Sequence, residues 1–140
     1  MKTNKILLGG ITGAVTLFLL KWIVYGVLLI DYITANFNPC ALRPMQDYII
    51  WAMILATFAF GFLLSLVFSW SNTTGMMKGA KVAGILGFLY SISADMSLYG
   101  TSTRFISLSP VFVNIIVNTL MWVIVGVAVG WVMGMGKKEA

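Results

Sequence analysis

Few side chains in this chain could do chemistry, and most of them fall inside apolar runs. Lys21 and Asp95 are opposite charges in two such runs. Tyr25 follows Lys21 by four residues, Ser91 precedes Asp95 by four, and Asn114 and Asn118 stand four apart in a third run. A spacing of four puts two side chains on one face of a helix. An ionisable group inside a membrane span is costly and needs a partner or a wet cavity. Lys21 and Asp95 are therefore expected to form an ion pair, with Asn114, Asn118, Ser91 and Tyr25 completing a polar binding cluster. Such a cluster has two uses. It can be a fully satisfied lock that fixes helix register, or it can line an outward-open pocket in which Lys21 binds an anion and Asp95 exchanges a proton.

Other chemistries lack their residues. The chain has no His, a single Cys and four acidic side chains, which excludes His-ligated haem, His/Cys zinc sites, His-based triads and an internal disulfide. There is no phosphate loop and no nucleophile with a base, and Asp95 with Tyr25 is the sole conceivable acid–base pair, so no enzyme and no cofactor are expected. Met76, Met77, Met133 and Met135 are spread over several segments and read as core filler or termini, whereas a copper site would want them converging; no metal is expected. Cys40 reads as a lone free thiol in a loop.

These residues must be positioned by membrane helices. Of 140 residues, 60% are apolar and only 9% charged, with a mean hydropathy of +0.97, against about 25% charged in a soluble domain. A bilayer core takes about 20 apolar residues as helix, and four runs qualify: residues 6–30, 48–70, 79–99 and 109–134. Ser109 is the expected N-cap of the last, with Pro110 at its first helical position. The whole chain, 1–140, reads as one all-α transmembrane domain, a four-helix bundle with no linker. By depth along the spans, at about 1.5 Å per residue, Lys21 and Asp95 both lie in the outer half.

Charge sets the orientation. With both termini on one side, that side carries Lys2, Lys5, Lys78, Lys81, Lys137 and Lys138, and the other carries Arg43 and Arg104. Lys and Arg concentrate in short cytoplasmic loops, so both termini are expected in the cytoplasm. The formal charge of +5 is then a topology signal, and no nucleic-acid partner is expected. Asn72-Thr73-Thr74, a glycosylation sequon, falls in the cytoplasmic loop. Tyr32, Tyr48, Trp51 and Tyr99 fall near the outer interface, and Trp70 and Trp131 near the inner one, as aromatic belts would place them.

Helices in lipid approach closely through small residues. Ala80, Gly84 and Gly87 with Ser91 in the third span, and Gly126, Gly130 and Gly134 in the fourth, are the expected packing rows. The fourth-span row continues Asn114, Asn118 and Trp122 by fours and is expected to face inward. Gly9, Gly10, Gly13 and Ala14 form such a row in the first span, and the second offers a weaker one, Thr57, Gly61 and Ser65. Residues 21–27 can also be laid over 121–127, keeping a Trp, a Gly and a Val, as an inverted repeat would; three matches among apolar residues are within chance.

The stretch Lys21-Trp22-Ile23-Val24-Tyr25-Gly26, with Gly84, Gly87, Asn118, Trp122 and the Gly126-to-Gly130 spacing, resembles an uncharacterised family of small four-helix bacterial membrane proteins. Lys21 stands where that family would have a small or apolar residue. The resemblance implies a multi-pass protein of the bacterial cytoplasmic (inner) membrane and supplies no activity. The small multidrug exporters share length and helix count, but their embedded Glu in the first helix has no counterpart here. The expected function is a non-enzymatic structural, accessory or ligand-binding membrane component, in contact with membrane lipid and forming a homo-oligomer or a subunit of a larger complex. The alternative is a small transporter or channel that uses Lys21 and Asp95.

Overall fold

A computed structural model describes residues 2–136 of the chain, and Lys137 and Lys138 of the expected basic side lie outside them. Among the described residues five α-helices form: α1 (Lys2–Ile23), α2 (Ile30–Asn36), α3 (Ile50–Trp70), α4 (Met76–Thr101) and α5 (Leu108–Gly134). Four of them are long and apolar enough to cross a membrane: Thr3–Leu28, which takes in α1 and the turn after it, then α3, α4 and α5. Among the described residues there is no strand, only an isolated antiparallel bridge between Phe37 and Phe105.

Local chemistry sets the ends of these helices. α3 stops at Ser71-Asn72, where Asn72 takes a positive φ of 52°, a conformation Asn tolerates better than most residues. Thr73 N–H then caps the Phe68 carbonyl at 2.9 Å. Gly75, at φ 96°, turns the chain into α4 in a conformation open to glycine, and its N–H donates across to the Gly130 carbonyl of α5 at 2.9 Å. α5 begins two residues before the expected start. Ser107 is its N-cap and makes no side-chain cap, and Ser109 and Pro110 lie inside the first turn.

Two features were not expected. α1 does not run straight to residue 30: it widens into a π-helical turn over Val24–Leu28, where Leu29 N–H bonds to the Val24 carbonyl at 2.8 Å. The short α2 then lies in what reads as loop.

Neighbours in sequence run antiparallel. α4 packs chiefly on α5 and α1 on α3, α1 also lies along α5, and α3 and α4 are not among the pairs in close backbone contact. Ser65 Oγ donates to the Ile6 carbonyl at 2.8 Å, and Gly75 meets Gly130. These contacts gather Lys5, Lys78 and Lys81 at one end. The opposite end holds Arg43 and Arg104, with Asn38 N–H donating to the Arg104 carbonyl at 2.9 Å.

Small residues make the close approaches. A Cβ on Gly61 would collide with the Gly10 carbonyl and Ala14 N, and one on Gly79 with the Gly126 carbonyl. The row that α4 turns to α5 is Gly79, Ala83, Gly87, Ser91 and Asp95, all buried. This corrects the expected row. Ala80 is half-buried, and Gly84 meets only Val123 Cγ2, at 3.0 Å from a built Cβ. Gly79-Ala80 and Ala83-Gly84 are adjacent pairs, so two small-residue rows run side by side, and contact with α5 picks the earlier one. Gly87, Gly126 and Gly130 lie in the contact as expected. The core of the long helices is Leu17, Leu64, Phe68, Ala83, Trp122, Val125, Val129 and Met133, while the large apolar side chains of the outer faces are exposed. Trp22 is 61% exposed and Trp122 is 8% exposed, so the two segments matched in sequence do not occupy equivalent places.

Candidate functional site

The arginine end carries a hydrogen-bonded chain across three helices. Tyr25, in the π turn, donates its hydroxyl to Asn114 Oδ1 of α5 at 2.7 Å. The Asn114 amide donates in turn to Asp95 Oδ2 of α4 at 2.7 Å. The widened turn changes the direction in which Tyr25 leaves the helix relative to a regular α1, and such turns recur at functional positions. Asp95 and Asn114 are 6% and 8% exposed, so each bond is made in surroundings where an unmet polar group costs more than it does in water.

Lys21 and Asp95 do not pair. Among the described residues no Lys or Arg forms an ion pair with a carboxylate. Lys21 Nζ stands over the Phe60 ring of α3, 5.7 Å from its centroid, a cation–π geometry. The physical reason lies in the helix order. α5 lies between α1 and α4, so a shared depth does not bring the two side chains together; Asn114 of α5 occupies the position the ammonium was expected to take.

Around Lys21 the layer is aromatic. Phe60 packs edge-on to Tyr90 at 5.2 Å and to Trp122 at 5.4 Å, and Tyr90 lies 5.8 Å from Trp122. Below it Leu17, Phe60, Leu64, Trp122 and Val125 line a small apolar cavity.

Compared with family models, with curated proteins and with solved structures, the chain matches none. What the site can do is therefore argued from its own groups.

Of the six expected cluster residues, Tyr25, Asn114 and Asp95 are joined directly. Ser91 lies one turn from Asp95 on the buried face of α4, and its hydroxyl is buried without a hydrogen-bond partner. Lys21 faces the aromatic layer. Asn118 is half-buried and makes none of the side-chain hydrogen bonds of the chain Tyr25, Asn114, Asp95.

One residue of the site was not expected. Arg104, in the loop between α4 and α5, turns inward, its guanidinium 5.8 Å from the ring centroids of both Phe37 and Phe105. Those rings pack edge to face at 4.9 Å beside buried Val111 and Ile115, and cover the end of the cluster. Among the described residues Arg104 Nε is buried without an acceptor. In sequence it reads as a loop charge; its position between Phe105 and the turn Ser102-Thr103 is the one signal that could have marked it. Among the described residues no three His, Cys, Asp or Glu side chains converge on a metal position.

Chemically, the arrangement offers donors in excess of acceptors. Among the described residues Arg104 Nε and Ser91 Oγ are buried without partners and Lys21 lies over Phe60, while one oxygen of the Asp95 carboxylate accepts from Asn114.

Proposed function

We propose that this chain is a non-enzymatic multi-pass protein of a bacterial cytoplasmic membrane, a four-helix bundle with both termini in the cytoplasm, whose outer half binds a small anionic group. The observation that carries the reading is the unequal charge of the cluster: among the described residues Lys21 and Arg104 are left without carboxylate partners while Asp95 is held by Asn114. A cation kept in low-dielectric surroundings without a counter-ion is expensive, and an anion that meets both would recover that cost. A purely structural lock would have satisfied its charges internally.

The orientation rests on the lysine-rich end being cytoplasmic. At that end Gly75, Gly79, Gly126 and Gly130 bring α4 and α5 into backbone contact. This closure favours a binding or accessory role, as a homo-oligomer or as a subunit of a larger complex, over passage of a solute through the chain.

Thermal unfolding of the full chain in a neutral detergent tests the reading, with acetate, inorganic phosphate and an anionic lipid added in turn. A ligand at about 100 times its Kd adds about 2.7 kcal/mol to stability. At least one of these anions should raise the Tm of the wild type and fail to raise that of the K21M/R104Q variant. No rise with any of the three would overturn the reading.

A further inference from the structure

α4 and α5 meet in a regular register, and that register sets a second polar layer beside the first. The Asn114 amide reaches Asp95. A Cβ on Gly87 would collide with the Trp122 side chain, one on Gly126 with Ala83, and one on Gly79 would stand 3.0 Å from Gly130 Cα. From Asp95–Asn114 to Gly79–Gly130 the helices run antiparallel, so the pairs step back along α4 and forward along α5 one turn at a time. The step between Asp95–Asn114 and Gly87–Trp122 sets Ser91 opposite Asn118. Ser91 is 2% exposed, and among the described residues its Oγ has no hydrogen-bond partner. Asn118 is half-buried.

Side chains on a helix lean toward its N-terminus. On α4 this carries the Asp95 carboxyl toward the layer of Ser91. On α5, which runs the other way, it carries the Asn118 amide toward the layer of Asn114. The three head groups therefore converge between the two layers. Asn114 is already committed, since its amide donates to Asp95 Oδ2 and its oxygen accepts from Tyr25. Three oxygens remain: Asp95 Oδ1, which accepts none of the hydrogen bonds of the described residues, the Ser91 hydroxyl and the Asn118 carbonyl. The cations of the chain lie elsewhere, Lys21 over Phe60 of α3 and Arg104 at the rings of Phe37 and Phe105. Asp95, 6% exposed, is thus a carboxylate in apolar surroundings with no counter-ion in contact, a costly state.

We propose that Asp95 Oδ1, Ser91 Oγ and the Asn118 side-chain oxygen bind one sodium ion between these layers, with water completing its shell. Oxygen ligands without nitrogen or sulfur suit a hard cation. One carboxylate balances a single positive charge, whereas a divalent ion would leave a net charge in low-dielectric surroundings. Trp122 against Gly87 closes the layer on one side and Asn114 on the other, so the space is that of a small ion, sodium before potassium. The site is separate from Lys21 and Arg104 and does not depend on the anion reading above.

Thermal unfolding of the full chain in a neutral detergent tests this, with sodium chloride exchanged for potassium chloride or N-methylglucamine chloride at constant ionic strength and pH. Chloride is common to every arm, so failure here leaves the anion reading untouched. Sodium should raise the Tm of the wild type saturably and above both other salts, and D95N should lose the rise. S91A and N118L should each weaken the apparent sodium affinity by about tenfold, the scale of one lost contact to a charge. S91A removes one oxygen and keeps the carboxylate, so it decides the matter if D95N loses its helix content. An equal rise in all three salts, a sodium response retained in D95N, or an affinity unchanged in both S91A and N118L would overturn the proposal. So would a Tm that rises with falling pH in the wild type and not in D95N while sodium has no effect at any pH, since Asp95 would then hold a proton in place of the ion.

Discussion

The side-chain amide of Asn114 donates to Asp95 Oδ2 at 2.7 Å, and that bond fixes which end of the amide faces α1. Oδ1 is turned to accept from the Tyr25 hydroxyl, so one residue of α5 serves as the joint between α1 and α4, which do not pack closely on each other. The cluster is therefore directional. A group that can only accept, or can do neither, cannot replace Asn114.

Asn114→Leu removes both bonds and leaves a buried acceptor unmet, at a cost of about 1–3 kcal/mol. Tyr25→Phe removes one bond while Asn114 stays held by Asp95, at a cost of about 0.5–1.5 kcal/mol. Denaturant unfolding in detergent should rank N114L as the more damaging change. Equal losses would mean that Tyr25 and Asp95 do not share Asn114.

The packing row of α4 is tested by three alanines. Gly79→Ala puts a Cβ against the Gly126 carbonyl, Gly84→Ala meets only Val123 Cγ2, and Gly100→Ala meets nothing within 4 Å. Overpacking costs about 1–3 kcal/mol, whereas an unobstructed Gly→Ala in a helix gains up to about 1 kcal/mol. Unfolding midpoints should fall in the order G100A highest, then G84A, then G79A lowest. G84A below G79A would restore the later row.

Phe37→Ala opens the aromatic cover. The edge-to-face partner Phe105 and the bridge at Asn38 N–H to Arg104 O lose their support, and a buried Phe→Ala change costs about 3–5 kcal/mol where the site cannot collapse. Hydrogen exchange at Asn38 and Ile106 should quicken, while the α1–α3 contact around Gly61 keeps its protection. Unchanged exchange at the two loop amides would show that the cover does not hold the loops.

The four long helices were legible in the sequence because a span needs only length and apolarity, and four runs had both. Tyr25, Asn114 and Asp95 were legible for a related reason: polar groups in apolar runs are few, and depth follows from residue number. Rotation about the helix axis does not. That Lys21 faces Phe60, and that Gly79 and not Ala80 faces α5, depends on which helices neighbour which, and adjacent small residues at 79–80 and 83–84 left two rows equally suitable. The π turn carries no hydropathy signal, since Val24–Leu28 is as apolar as a regular turn would be, and α2, with Asp31, Thr34 and Asn36, is as polar as a loop. Arg104 was missed because a charge between two spans reads as a solvated loop residue, and only the aromatic pair folded beside it draws it inward.

Double-mutant cycles on detergent-solubilised protein test the central claim most directly, that Asp95 is held by Asn114 and not by Lys21. Residues in contact couple by about 0.5–3 kcal/mol, and separate ones add to within about 0.5 kcal/mol. The cycle of N114L with D95L should show coupling in the first range, and the cycle of K21M with D95L should be additive, with K21M alone near or above wild-type stability. A large coupling between Lys21 and Asp95, with none between Asn114 and Asp95, would contradict the account.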